Sequence, residues 1–544
     1  MESDTPVYNT PEGQELVKAI LAEQGIIAHD FQMQGVLIIL DDRTLVATMA
    51  TGSGKTGFFA FSMLAMLAIS KNPSLALKGK TFPKDPAMVV VVPTKALQED
   101  MCNNLRNRYG LDAVIINGDT ATKELWHSCQ KLHSIILIGP EQMTKSEFRE
   151  LLDSKAFTAR VCRLGIDEVH LICSWGESRL RSDFLQLGHI RSRFPRFSHN
   201  NPIPLIVTSA TIREGHPMTT ICNTLGLVWG QFHLLRRSNL RRDMQIIVRV
   251  LTSGPANVSF PELDWILDSG RNTVIFCKTI GFGFRVGAYL WRKGITKGIK
   301  DLPSKLRLFN SLNSNKFNQE TLGFLNTDPS TPRIIISTDV LSVGWDSPNT
   351  EDVVVLGDPD TLDDLLQKWG RAGRDHSKVP DPRAFLYHTR TAIATAQTVM
   401  NSQDVQKAAA TSMDISMAEF HVALCKSGAI DVLYDNPATD IPCVCENCKD
   451  KVVPTWGSCN CSGCMPEAPI PTWKKPSKPR AKRNQGISKA MLELALRRFT
   501  PIRQKIFDAD PMKNVWLPPE YYLPDEDINT LAKHPAPHFI TAIP

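Results

Sequence analysis

The sequence predicts an α/β protein with two parallel-sheet domains in tandem, followed by a helical, Cys-rich module suited to zinc. Three observations predict this class. Val- and Ile-rich apolar runs recur across residues 30–235 and start again across 236–400. Continuous runs, rather than alternating ones, suit strands covered on both faces, as in a parallel sheet. Most of the runs end in a short polar or Gly-rich block, and open α/β sheets hold their ligands at the carboxyl ends of strands. Finally, Cys425, Cys443, Cys445, Cys448, Cys459, Cys461 and Cys464 crowd one stretch of the chain.

The elements follow in order. Residues 1–29 form an N-terminal segment. The first domain, 30–235, carries strand-like runs at Leu45–Thr48, Met88–Val92, Val114–Ile116, Ser134–Ile138, Val161–Ile166 and Leu205–Val207. The apolar stretch Phe58–Ile69, broken by Ser62, is too short for a bilayer, which needs about 20 residues. It directly follows a Gly-rich turn, so a buried helix is expected. A basic connector, Arg236–Arg242, opens the second domain, 236–400, whose runs are Thr273–Phe276, Arg333–Ser337 and Asp352–Leu356. Residues 401–440 read as helical, within a zinc-binding module at 401–465. Residues 466–486 are a linker rich in Pro, Lys and Arg. The tail, 487–544, shows helical spacing over Ile487–Phe507 and a short helix near Asp527–Lys533.

Composition limits the classes. The chain has 544 residues, 42% hydrophobic and 22% charged, with a net charge of +6. That supports packed cores, excludes wholesale disorder and is compatible with a nucleic-acid partner. No membrane partner is expected. No charged start followed by an apolar core opens the chain, so an intracellular protein is expected.

Six short blocks carry chemistry: Ala50–Thr56, Pro93–Ala96, Asp167–His170, Thr208–Thr211, Ser337–Asp339 and Gln367–Arg374. In the first, Thr51, Gly52, Ser53 and Gly54 form a turn between strand and helix whose backbone N–H groups point at a polyphosphate. Lys55 would reach the β and γ phosphates, and the Thr56 hydroxyl would ligate Mg²⁺. Met49 stands where the strict pattern has Gly. Asp167 can hold Mg²⁺ through water, and Glu168 can polarise an attacking water. Arg371 and Arg374 lie three apart, a spacing that predicts a shared helix face. They belong to the second domain, so they reach a γ-phosphate only when the domains close. ATP and Mg²⁺ are therefore the expected cofactors.

The cysteines repeat one spacing, Cys443-x-Cys445-x-x-Cys448 and Cys459-x-Cys461-x-x-Cys464, with Cys425 upstream. Thiolates this close favour a tetrahedral, structural Zn²⁺.

In this order the blocks resemble helicase superfamily 2, and the residues around them resemble the RecQ DNA helicases. Asp30-Phe31-Gln32 is similar to the start of the family's adenine-reading motif, with Gln32 as the base-contacting amide. Met49 matches the Met that RecQ proteins carry before their Gly-rich turn. Asp167–His170 runs on into Ile172–Gly176, which resembles the family's aromatic-rich loop, and Arg181–Phe184 follows the family's spacing. The resemblance implies two RecA-like domains and coupling of DNA contact to hydrolysis through His170, Trp175, Arg181 and Asp339. It also implies that Gly344 and Asp346 meet ATP. Phe309-Asn310-Ser311 departs from the family, many of whose members have Tyr-His there. RecQ proteins hold zinc with one Cys in a helix and three downstream, and Cys425, Cys443, Cys445 and Cys448 resemble that set. Cys459, Cys461 and Cys464 then form a second candidate set without a fourth ligand, or compete for the same ion.

The family implies an ATP-dependent 3′-to-5′ helicase on single-stranded and partly duplex DNA, serving repair or recombination in the nucleus. Two rivals stand beside that reading: an RNA-directed ATPase of the same superfamily, and a DNA-binding scaffold with degenerate catalysis. Lys474–Arg483 suits phosphate contact, nuclear import or a solvated tether equally. Residues 487–544 are too short for both the winged-helix and the C-terminal accessory domains of longer members.

Overall fold

The computed structural model describes residues 5–174, 186–195, 201–326, 331–341, 348–375, 377–401, 413–438, 443–446, 448, 459–465 and 489–509, with single positions at 519, 525 and 528. It divides into two compact units, Met1–Ala468 and Pro469–Pro544.

The first unit contains two sheets in which every paired strand is parallel. The first sheet has strands β1 (Thr44–Thr48), β2 (Ala87–Val91), β3 (Ala113–Ile116), β4 (Ile135–Ile138), β5 (Val161–Ile166), β6 (Leu205–Ser209) and β7 (Phe232–Arg236). Their spatial order is β3-β4-β2-β5-β6-β1-β7. Central strands β1, β2, β4, β5 and β6 are buried at every position, which is why they read as unbroken apolar runs. Helices α1 (Pro11–Ala22), α2 (Asp30–Leu40) and α3 (Thr56–Lys71) pack on one another at this sheet. Sandwiched between sheet and helices, α3 buries Phe58, Phe59, Phe61, Met63, Met66 and Ile69 around its whole girth. Each such side chain contributes about 1.5–3 kcal/mol on burial. Val17, Ile20 and Leu21 of α1 join this core, so the segment read as preceding the first domain packs into it.

The second sheet has strands β8 (Gln245–Val250), β9 (Thr273–Cys277), β10 (Leu306–Phe309), β11 (Ile334–Ser337), β12 (Asp352–Leu356) and β13 (Arg383–His388), in the order β10-β11-β9-β12-β13-β8. Strands β7, β8, β10 and β13 were absent from the sequence reading. The first three are sheet edges, half-exposed and carrying His233, Arg249 and Arg307, so they show no continuous apolar run. The Cys-rich loop covers the β8 edge. Ser462 N–H donates to Ile246 O at 2.9 Å, and the Ser462 hydroxyl accepts from Val248 N–H at 2.9 Å. Capping an open edge this way removes unpaired backbone groups.

Helices Ala392–Asn401, Ile415–Val422 and Lys426–Leu433 follow. Phe420, Ile430, Tyr434 and Cys461 share a core with Trp369 of the second sheet's lobe. Among the described residues no helix is long and apolar enough to cross a membrane. The second unit contains the helix Lys489–Ala509, in which Arg503 pairs with Asp525 at 2.6 Å. The basic linker lies outside the described residues.

Candidate nucleotide site between the lobes

Strand order brings the chemistry of the first lobe together. Strand β1 pairs with β6, with Thr48 beside Ser209, and β6 pairs with β5, with Val207 beside Ile166. The Gly-rich turn after β1, the Thr208-Ser209 pair ending β6 and the Asp167-Glu168 pair after β5 therefore line one carboxyl edge.

The turn needs its glycines. Gly52 and Gly54 have φ of 78° and 84°, in the left-handed region, and a Cβ on Gly54 would lie 2.7 Å from Gln32 Nε2. Thr56 is the first residue of α3, so the helix N-terminus and its backbone N–H groups face the turn. Lys55 Nζ lies against its own loop, 3.3 Å from Ala50 O. Burial lowers its pKa, with Glu168 and Asp167 pulling upward and Arg374 and Arg371 adding to the fall.

Asp167 is 7% exposed, and its Oδ1 accepts from the Thr208 hydroxyl at 2.7 Å and from Glu168 N–H at 3.0 Å. Burial first, and then the Glu168 charge, push its pKa up. Burial pushes Glu168 the same way, but His170, Lys55 and Arg371 outweigh it and bring Glu168 down. A buried acid pair with one member driven toward protonation suits a divalent cation, which would restore the charge at Asp167. Asp167 and Thr56 are the residues that would hold Mg²⁺, whose chemistry is to neutralise phosphate oxygens. Glu168 sits at φ 49°, a backbone region that non-glycine residues rarely occupy. Such local strain concentrates where a side chain must be aimed.

The second lobe meets this edge. The Thr51 hydroxyl donates to Gly370 O at 3.3 Å, and Gln367 contacts His170 Nε2. His170 is buried, with Nδ1 2.8 Å from the Ser209 hydroxyl and 3.3 Å from Glu168 Oε2. One imidazole thus touches Glu168 of the acid pair, the end of β6 and the opposite lobe. Arg213 adds an ion pair to Asp363 at 3.0 Å, and Asn239 Nδ2 donates to Ala210 O at 3.2 Å. Tyr434 Oη donates to Asp363 Oδ1 at 2.6 Å.

Several expectations change. Arg371 and Arg374 do not share a helix face. The helix Leu362–Trp369 ends before them, and Gly373 adopts φ 55° and donates its N–H to Thr350 O at 2.8 Å, so both arginines project from a turn. The basic connector Arg236–Arg242 turns its arginines onto the protein. Arg236 donates to Tyr434 O at 2.6 Å, Arg242 pairs with Asp431 at 3.1 Å, and the Arg237 guanidinium lies 4.9 Å from the Phe31 ring centroid. Arg241 holds the arginine turn itself, donating to Ala372 O at 2.7 Å and Gly373 O at 2.6 Å while pairing with Asp243. Composition alone could not single it out from its basic neighbours. Arg241→Ala should cost about 2–4 kcal/mol, because it strands buried carbonyls and a carboxylate. Urea unfolding checks this, and an unchanged midpoint would contradict the bracing role.

Gln32 is buried and spends both amide ends on the protein. Its Oε1 accepts from His29 N–H at 2.9 Å, and its Nε2 donates to Gly54 O at 2.8 Å. Asp339 follows β11 and pairs with Lys368 at 2.8 Å, within the second lobe. Trp175, Arg181, Gly344 and Asp346 lie outside the described residues.

The metal-ligand grouping is also corrected. Cys425 does not join Cys443, Cys445 and Cys448. It meets Cys459, Cys461 and Cys464, while His29 joins the other three. Cys425 caps the helix Lys426–Leu433, accepting from Gly428 N–H at 3.2 Å, and the 459–465 loop lies on that helix end. Cys425 and Cys459 sulfurs are 3.7 Å apart, near the about 3.8 Å edge of a tetrahedron with 2.3 Å Zn–S bonds. Burial raises the Cys461 thiol, but N–H groups of Ser427, Cys464 and Lys426 bring it down to about 6, toward the thiolate a metal needs. This cluster could hold zinc, which would supply a structural cross-link.

Comparison with known proteins agrees with the geometry. Residues 29–218 match the DEAD/DEAH box helicase family, and residues 260–376 match the helicase conserved C-terminal domain. The fold and the shared site define a superfamily 2 helicase core. The chain is 26% identical over 344 residues to the ATP-dependent helicase wrn-1 of Caenorhabditis elegans, covering 62% of this chain and 29% of that protein. It is 20% identical over 375 residues to the ATP-dependent DNA helicase RecQ of Haemophilus influenzae, covering 68% and 52%. These relatives support a likeness to RecQ-type helicases. The chain spans only those fractions of its relatives' lengths. Among solved structures, helicase MrfA bound to DNA and AMPPNP aligns at TM-score 0.53 and 18% identity, covering 76% of this chain and 56% of that one. Mss116p bound to ssRNA and AMP-PNP aligns at 0.53 and 16%, covering 81% and 94%. These likenesses show the fold.

Proposed function

We propose that the chain is an ATP-dependent DNA helicase that moves 3′ to 5′ on single-stranded DNA and separates partly duplex DNA. The observation that carries this reading is the meeting of two lobes at one acid pair, with His170 touching Glu168, Ser209 and Gln367 at once. Lys55 and the Gly-rich turn hold the phosphates, Glu168 orients the attacking water, and Arg371 and Arg374 offset charge on the γ-phosphate. Because those arginines belong to the second lobe, each turnover is tied to lobe closure. Strand contact biases closure through the His170 contacts, and reopening after hydrolysis steps the strand along.

DNA rather than RNA is favoured because the similar full-length proteins include a named DNA helicase. Zinc at Cys425, Cys459, Cys461 and Cys464 is part of the same reading, as are a nuclear location and a role in repair or recombination. Strand displacement on 3′-tailed, 5′-tailed and forked duplexes tests it, with ATPase stimulation by single-stranded DNA and RNA measured alongside. Unwinding of the 3′-tailed substrate with DNA-stimulated hydrolysis is expected. Stimulation by RNA alone would favour the RNA-directed rival.

A further inference from the structure

The three sulfurs of Cys443, Cys445 and Cys448 lie 3.6, 3.4 and 3.4 Å from a single atom, His29 Nδ1. A zinc ion with bonds of 2.3 Å to sulfur and 2.0–2.1 Å to nitrogen sets an N-to-S tetrahedral edge of about 3.6 Å. We propose that His29, Cys443, Cys445 and Cys448 form a second zinc site, separate from the Cys425 cluster, that fastens the Cys-rich module to the nucleotide-binding lobe.

The neighbours of this cluster are those of a built site. Asp30 N–H donates to Cys443 Sγ at 3.4 Å, the kind of bond that steadies a thiolate, and Asp30 Oδ2 accepts from Val444 N–H at 2.7 Å. The His29 ring stacks on Phe31, with centroids 5.4 Å apart and planes 13° from parallel, which fixes the direction of Nδ1. One soft nitrogen and three sulfurs form a donor set selective for zinc over Mg²⁺. The arithmetic of the thiols agrees. Seven cysteines cannot complete two four-ligand sites, and His29 supplies the eighth ligand.

The position gives the site its consequence. His29 and the three cysteines are more than 400 residues apart, so an ion there closes a very long loop. The other end of the module is bonded to β8 of the second lobe through Ser462. The module therefore straps one lobe to the other, one metal cluster at each end. His29 N–H also bonds Gln32, whose amide reaches Gly54 of the phosphate-binding turn. Two hydrogen bonds thus separate the ligand residue from the nucleotide loop.

Elemental analysis of the purified full chain, after passage over a chelating resin, tests the assignment independently of any ATPase or helicase result. Two zinc ions per chain are expected for the unmodified protein, one for His29→Ala and two for His29→Cys, which restores a soft ligand. X-ray absorption at the zinc edge should average about 3.5 sulfur ligands per ion. One zinc per chain in the unmodified protein, or a count unaffected by His29→Ala, would overturn the second site. Should His29→Ala prove insoluble, the zinc count and sulfur average of the unmodified protein decide the question alone, since a single four-sulfur site gives one ion and no nitrogen ligand.

Discussion

Arg371→Ala should lower kcat for ATP hydrolysis by about 10³–10⁵-fold, the range for removing an arginine that stabilises phosphoryl transfer. The side chain is 7% exposed and close enough to influence both Lys55 and Glu168 across the lobe boundary. Its charge acts where water is scarce, so bulk solvent cannot replace it. Nucleotide affinity should change far less, because Lys55 and the Gly-rich turn belong to the first lobe. Arg371→Lys should recover only part of the rate, since an ammonium lacks the planar fork. Stopped-flow phosphate release with a separate nucleotide titration resolves the two effects. A near-normal kcat in Arg371→Ala would remove the second lobe from catalysis.

Glu168→Gln should reduce kcat by about 10²–10⁴-fold, the usual range for a group that positions or deprotonates an attacking water. The substitution keeps the shape and the position at φ 49°, so folding should be preserved. It removes the charge that His170, Lys55 and Arg371 stabilise. ATP should still bind, and single-stranded DNA should be held in a stalled complex, detectable by fluorescence anisotropy. Retention of full turnover would reassign the water-orienting role, most directly to Asp167.

The sequence exposed those parts of the fold where one stretch of chain carries its own reason for being there. Val161–Ile166 and Asp352–Leu356 are buried on both faces, and their strand limits coincide with their apolar runs. The Gly-rich turn and the Asp-Glu pair were legible because their chemistry is local. What stayed hidden depends on partners far along the chain. Arg241 looks like any residue of a basic connector until it is seen under the carbonyls of Ala372 and Gly373. The helical spacing of Arg371 and Arg374 was misleading because the helix stops at Trp369 and Gly373 takes a left-handed φ of 55° between the two arginines. The cysteine grouping followed the RecQ pattern of one helix Cys and three downstream, whereas the loop carrying Cys459 folds back onto the helix that Cys425 caps. His29 gave no local sign beyond an unpaired count of thiols. Edge strands such as β8 were missed because half of their surface is polar and their pairing is completed by the distant Ser462.

The central claim is that one nucleotide is held by the first lobe and completed by the second. The most direct measurement is a crystal structure of the chain with Mg²⁺, a non-hydrolysable ATP analogue and single-stranded DNA. The γ-phosphate should lie between Lys55 and Arg371, with the guanidinium within about 3 Å of a phosphate oxygen. An analogue gripped by the Gly-rich turn alone, with Arg371 and Arg374 both directed away from it, would contradict the account.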